Sequence, residues 1–541
     1  MLRTRRRPRW SAPSSGGSSF SPTQIAGLQA WWDASDSSTI TSSSSAVSQW
    51  RDKSGNARHL AQATGSKQPL TATDSINGLN VLKFDGVDDI MTTSSFIYGL
   101  GACTVFVVCK GASQGSDHRI VAEGSTGSTT PMYCPLGNGA TTVTRERFFI
   151  RDNASTQTTA EGTAVFLDSV PKISCFKDTG SAVTLYLNST SDATVASYTR
   201  STTTLDTLAI GALKRTTESN WFVGDIAEII VYNTALSDAN RDLVETYLYA
   251  KWYQAVDAMF LIGQSNADGR GDNTMLPSDL ATFYATTPPN MYIWYKPAVR
   301  DANGITAGSY TNDGGSGSGT PFFQLDKGHN TGTLKTHQVV GDQGSTVAGQ
   351  TQNLHGSELA YGYAYTQAAT GKELYIFKGC CGGTAIETNW GVSNADPTKI
   401  YYWFKTYIYQ PGYKELLRTG KWPTIKVIFW MQGETDADNA MPYATYKGYL
   451  QTLVNRLKTE YCTQNPLIAI GGLSTGYNTT NGNAIKQAQI DVAAANTNCV
   501  VLYTDGSDGQ TAFPLQVDNI HYTPDGFKMM GLKLAHLQGL I

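Results

Sequence analysis

The feature that most limits how this 541-residue chain can fold is a series of short apolar runs in its second half. They fall at 259–262, 374–377, 425–430, 467–470 and 500–503, each with the length of a buried strand. Helical patterns separate and follow them. One covers 358–369, another 443–461 with Tyr446, Leu450, Leu453, Leu457 and Tyr461 on one face, and a last one 525–538. Strands alternating with helices predict a mainly parallel five-stranded sheet covered on both faces, a three-layer α/β domain. Open sheets of this kind bind their ligands beyond the C-terminal strand ends.

Three of those strand ends carry chemistry. The first run breaks into Gly263-Gln264-Ser265-Asn266, and the second leads through Lys378-Gly379-Cys380-Cys381 into Gly382-Gly383-Thr384. The third passes through Trp430-Met431 into Gln432-Gly433-Glu434-Thr435-Asp436. A serine hydroxyl is a weak nucleophile and needs a base, and that base needs a carboxylate to hold its tautomer. Residues 518–521, Asp-Asn-Ile-His, supply both within one turn of chain, followed by Tyr-Thr-Pro-Asp-Gly. Acyl transfer also needs N–H donors for the developing oxyanion. A Gly-Gly turn exposes main-chain N–H groups, and Gln432 carries a side-chain amide.

These four blocks resemble, in order, those of the SGNH-hydrolase superfamily, and within it the sialate O-acetylesterase-like carbohydrate esterases. The resemblance runs from about residue 256 to 541. It implies Ser265 as nucleophile, His521 as base and Asp518 as its orienting acid. It implies an oxyanion hole made by the Ser265 N–H, the Gly382 N–H and the Gln432 side chain, with Gly383 the alternative glycine. In the wider superfamily an Asn often stands where this branch has Gln432. Glu434 and Arg270 also match, without an assigned chemistry; Arg270 is a candidate substrate contact. Trp390 could offer a sugar-stacking face or be core, and His355 could reach substrate. Residues 300–355, rich in Gly, Ser and Thr, could wall the site.

The first half reads differently. Short runs such as 81–84, 104–108 and 182–187, separated by Gly/Ser/Asn/Asp turns, predict an antiparallel β-sandwich. Ser237 can cap a helix through Lys251, with Leu243, Tyr247 and Trp252 at roughly helical spacing. Four stretches resemble concanavalin A-like lectin/glucanase domains of the laminin-G-like, jelly-roll type: Gly27 to Ala34, Trp50 to Asn56, Phe84 to Asp89 and Gly224 to Tyr232. Asp85, Asp88 and Asp89 could bind Ca²⁺ or simply cap a turn. The expected organisation is therefore a basic arm and linker (1–20), a sandwich (21–253) and an esterase domain (254–541).

Composition narrows the partners. A net charge of −3 implies no general attraction to nucleic acid. Eight cysteines are too few for a disulfide scaffold, and no apolar segment reaches the eighteen residues of a membrane span. The N-terminus, Met-Leu-Arg-Thr-Arg-Arg-Arg-Pro-Arg, is basic without the apolar stretch of a signal peptide. Together with the sandwich-then-esterase order, this resembles a phage tail or virion protein whose arm contacts other virion proteins; export by another route is the alternative.

The expected activity is hydrolysis of O-acetyl groups on a surface polysaccharide, with no metal or organic cofactor. The alternatives are a glycan-binding virion module with a vestigial esterase site, or an esterase for another acyl ester.

Overall fold

The computed structural model describes residues 20–541 except 114, 116, 140–143, 273–274, 286–289, 296–297, 302–303, 308–321, 326–353 and 462–464. The basic arm and most of the stretch expected to wall the site lie outside the described residues. The rest forms two compact units. One runs to Gln254 and includes 417–422; the other comprises 255–416 and 423–541.

The first unit is a sandwich-like antiparallel β structure: among the described residues, seventeen strands join in one hydrogen-bonded network and two short ones form a separate pair. Its central strand, Cys103–Lys110, pairs antiparallel with Lys172–Asp178 and with Val223–Tyr232, so Val105 stands opposite both Phe176 and Val231. Side chains alternate across a strand. Val105 and Val107 therefore join Trp32, Trp50, Phe84 and Phe148 in the core, while Phe106 meets Tyr232 on the other face.

The expected helix is present as Asp238–Trp252, with the Ser237 hydroxyl accepting the Asn240 N–H at 3.3 Å. Its buried face is Val244, Glu245, Leu248, Tyr249 and Trp252, whereas Leu243 and Tyr247 are only half-buried. The reason is Glu228. This buried carboxylate accepts from the indoles of Trp31 and Trp252, from the Tyr247 hydroxyl and from Lys251. A polar anchor, invisible in hydrophobic spacing, sets the helix rotation.

The carboxylates of Asp85, Asp88 and Asp89 lie within 4.8 Å of one another. They also cap their own turn: Asp85 accepts from the Val87 and Asp88 N–H groups, and Asp89 from that of Asp85.

The second unit is built on one sheet of seven strands in the order Phe323–Gln324, Met291–Tyr295, Leu374–Cys380, Gln254–Gly263, Lys421–Met431, Leu467–Gly471, Cys499–Leu502. Gln254–Gly263 and Met291–Tyr295 both run parallel to Leu374–Cys380, as do the last three strands to one another. The short Phe323–Gln324 is antiparallel to its neighbour. The five expected strands are all present; Met291–Tyr295 and Phe323–Gln324 are additional. Met259 and Leu261 face one apolar layer with Tyr361, Phe527 and Leu534. Phe260, between them, faces the other, ringed by Phe377, Phe404, Tyr409 and Tyr461 at 5.1–5.5 Å. The helix Tyr443–Glu460 buries Tyr446, Leu450, Leu453, Val454 and Leu457. The closing helix, Pro524–Gln538, is capped by Thr523 with proline in its first turn.

Candidate active site

Three strand ends of the second unit are stitched together by main-chain hydrogen bonds. The Gln264 N–H donates to the Met431 carbonyl at 2.9 Å, and the Cys381 N–H to that of Gly263 at 3.0 Å. Gly263 has φ +145°, and a Cβ there would lie 2.0 Å from the Met431 carbonyl oxygen. No other residue fits that contact. The chain then enters a single helical turn, Ser265–Asp268, so the serine opens directly from the strand end.

His521 reaches this serine from the turn before the last helix. Asp518 shapes that turn: one oxygen accepts the N–H groups of Ile520 and His521 at 2.9 and 3.0 Å. Its other oxygen lies 2.6 Å from His521 Nδ1, and His521 Nε2 lies 2.9 Å from Ser265 Oγ. Serine, histidine and aspartate thus form one continuous hydrogen-bonded chain.

The electrostatics suit a base. Burial pushes the His521 pKa below the ordinary histidine value; Asp518 opposes this and Arg270 adds to it. The ring is therefore neutral at neutral pH, with Nδ1–H on Asp518 and Nε2 free to take a proton. Burial raises the Asp518 carboxyl, but its hydrogen bonds from His521 and Ile520 outweigh it, and Asp518 stays below the usual carboxylate value.

Gly382 stands beside Ser265. A Cβ on it would lie 3.5 Å from Ser265 Cβ and 3.4 Å from Arg270 Nη2. The absent side chain leaves that space to the serine and the guanidinium. Arg270, half-buried, is thereby placed at the site.

Three other candidate residues have their side chains engaged inside the protein. Gln432, expected at the oxyanion hole, turns its amide to partners inside the protein. The side chain is fully buried, its Nε2 donates to the Thr384 carbonyl at 2.9 Å and to Asp436, and its Oε1 lies 3.3 Å from the Tyr446 hydroxyl. Both amide hydrogens are occupied in bracing the Gly-Gly-Thr loop. Asp436 holds the same loop by accepting the Ile386 N–H at 3.0 Å. Trp390 has no exposed face. Its indole donates to Thr384 Oγ1 at 3.0 Å and packs edge-on against Trp430. His355 is also buried, in a strand paired with Gly271 and with its ring near Phe527, so it supports the Arg270 segment from below.

Sequence reading gave no role to Asn266, Asp436 or Lys378. Lys378 is wholly buried, donates to the Asp268 carbonyl at 2.5 Å and lies 3.2 Å from Glu358. A lysine inside an apolar strand is the signal that could have pointed to this ion pair. The charges of Glu358 and Asp268 outweigh burial and hold its pKa above the usual lysine value.

The family described as "Carbohydrate esterase, sialic acid-specific acetylesterase" matches residues 337–538. That span holds Gly382, Gln432, Asp518 and His521; Ser265 precedes it. A search of curated proteins found no match. Among solved structures, a protein from Arabidopsis thaliana is 17% identical, with a TM-score of 0.34 over 52% of this chain and 97% of that one. The sialyllactose-bound CBM40 of a Ruminococcus gnavus sialidase is 19% identical, TM-score 0.24, over 27% and 82% of the two chains. The receptor-binding domain of botulinum neurotoxin D is 9% identical, TM-score 0.31, over 44% and 56%. The C-terminal region is thus similar to carbohydrate esterases of the sialic acid-specific acetylesterase kind. It follows a sandwich-like β unit in a chain of at least two domains.

Proposed function

We propose that the second unit is a serine O-acetylesterase of the SGNH type acting on an acetylated glycan, and that the first is a concanavalin A-like module that binds glycan. The observation that carries the proposal is the hydrogen-bonded chain from Ser265 through His521 to Asp518 at a strand-end turn. Ser265 Oγ attacks the acetyl carbonyl as its proton passes to His521 Nε2. The tetrahedral oxyanion is met by the N–H groups of Ser265 and Gly382. Collapse breaks the C–O bond to the sugar, whose oxygen takes the proton from His521. Water then gives a proton to His521 and attacks the acetyl-serine, and acetate leaves as Ser265 regains its hydrogen. Asp518 holds the ring and stabilises the imidazolium throughout. Every proton is carried by His521, so the scheme needs no metal or organic cofactor.

The test is acetate release from a panel of O-acetylated glycans, anionic and neutral, beside p-nitrophenyl esters of increasing acyl length. The proposal expects release from at least one glycan and a steep fall beyond acetyl. A preference for long acyl chains with no release from any glycan would overturn it.

A further inference from the structure

Asn266 and Glu434 sit behind the nucleophile and make no hydrogen bond to the triad side chains, yet they tie its two loops together. Asn266 follows Ser265, and Ile520 precedes His521. The Asn266 amide nitrogen donates to the Ile520 carbonyl at 3.1 Å and to Glu434 Oε1 at 2.8 Å. One side chain therefore joins the nucleophile turn, the histidine loop and the turn after Trp430. Both residues are buried, Asn266 completely.

The peptide unit between Ile520 and His521 is held at both ends. Its carbonyl accepts from Asn266, and its N–H donates to Asp518 Oδ1 at 3.0 Å. Nothing in that unit can shift without straining one of these two hydrogen bonds, and His521 Cα is part of it. We infer that Asn266, anchored by Glu434, is a positioning clamp that sets the separation of His521 from Ser265. The inference rests on the esterase reading above.

Glu434 suits an anchor. It opens the helix Glu434–Asp438. Its pKa is raised to about 7, chiefly by burial, with Asp436 and Asp438 adding charge of the same sign and the Asn266 bond opposing them. The other titratable groups that feel it are the hydroxyls of Tyr446, Tyr477 and Tyr522. Protonation at Oε2 would leave Oε1 an acceptor, so the clamp persists in either state.

A misplacement of about 1 Å in such a pair costs on the order of a hundredfold in turnover. Asn266→Ala is expected to lower kcat by about that factor with KM nearly unchanged, since the clamp touches no substrate. Glu434→Ala should act in the same direction, and Glu434→Gln, which keeps an acceptor, should restore most of the loss. The double variant Asn266→Ala/Glu434→Ala should be no worse than Asn266→Ala alone, as coupled residues are not additive. Asn266→Asp sets a second carboxylate against Glu434, and the pair needs a shared proton. Its turnover should therefore rise as pH falls through neutrality towards the value at which His521 takes up its proton, a range over which the wild type is flat.

Reaction of Ser265 with a fluorophosphonate, and loss of wild-type turnover in Ser265→Ala, are measured in parallel. If the wild type shows neither, the esterase reading fails and the clamp with it. If wild-type chemistry is intact but folded Glu434→Ala and Asn266→Asp keep kcat within twofold and an unmoved pH profile, the clamp alone is overturned.

Discussion

His521 Nε2 stands 2.9 Å from Ser265 Oγ although 256 residues separate the two. The serine comes from the first strand end of the second unit and the histidine from the turn before its last helix. Their meeting depends on sheet order, on the Gly263 contact and on the Asp518 turn.

The first prediction concerns pH. With His521 as the proposed base, kcat/KM should fall as pH drops through a value below 6.5, the ordinary value for histidine. Asp518 raises that value and Arg270 lowers it. Asp518→Asn should therefore move the acid limb to lower pH, with turnover down by about ten thousandfold as in other triads. Arg270→Gln should move the limb the other way, to higher pH. Limbs that stay fixed in both variants would separate these residues from the base.

Gln432→Ala should act on stability rather than on the transition state. It leaves the buried Thr384 carbonyl and Asp436 carboxylate short of a donor, a loss of about 1–3 kcal/mol. The melting temperature should fall while kcat of the folded fraction stays within a few-fold. A fall in kcat of about a hundredfold or more at unchanged stability would return the amide to the oxyanion hole.

Much of this site was legible in the chain. Strand ends at Ser265, Gly382 and Gln432 followed from apolar runs stopping at small or polar residues, and Asp518 with His521 from a spacing of three. What sequence could not provide was side-chain direction. Gln432, one residue past a strand, could face the site or the neighbouring loop, and only the positions of Thr384 and Asp436 decide it. Trp390 carried the same ambiguity and was settled by Thr384 and Trp430. The helix at 238–252 was read correctly, but its rotation depends on Glu228, whose partners lie far apart in sequence.

Trp390→Ala should behave as a core truncation. Removing a fully buried indole costs about 3–5 kcal/mol, so unfolding should occur at markedly lower denaturant. KM for an acetylated sugar in the folded fraction should change little. A raised KM at unchanged stability would make Trp390 a sugar-binding surface after all.

The most direct test of the central claim is turnover of an acetyl ester by Ser265→Ala against wild type, with the folded state of each checked by its melting transition. Loss of a triad serine lowers kcat by roughly a millionfold elsewhere. A variant that melts like the wild type and falls by several orders of magnitude is the predicted result. A folded Ser265→Ala that keeps even a tenth of wild-type turnover would contradict the account.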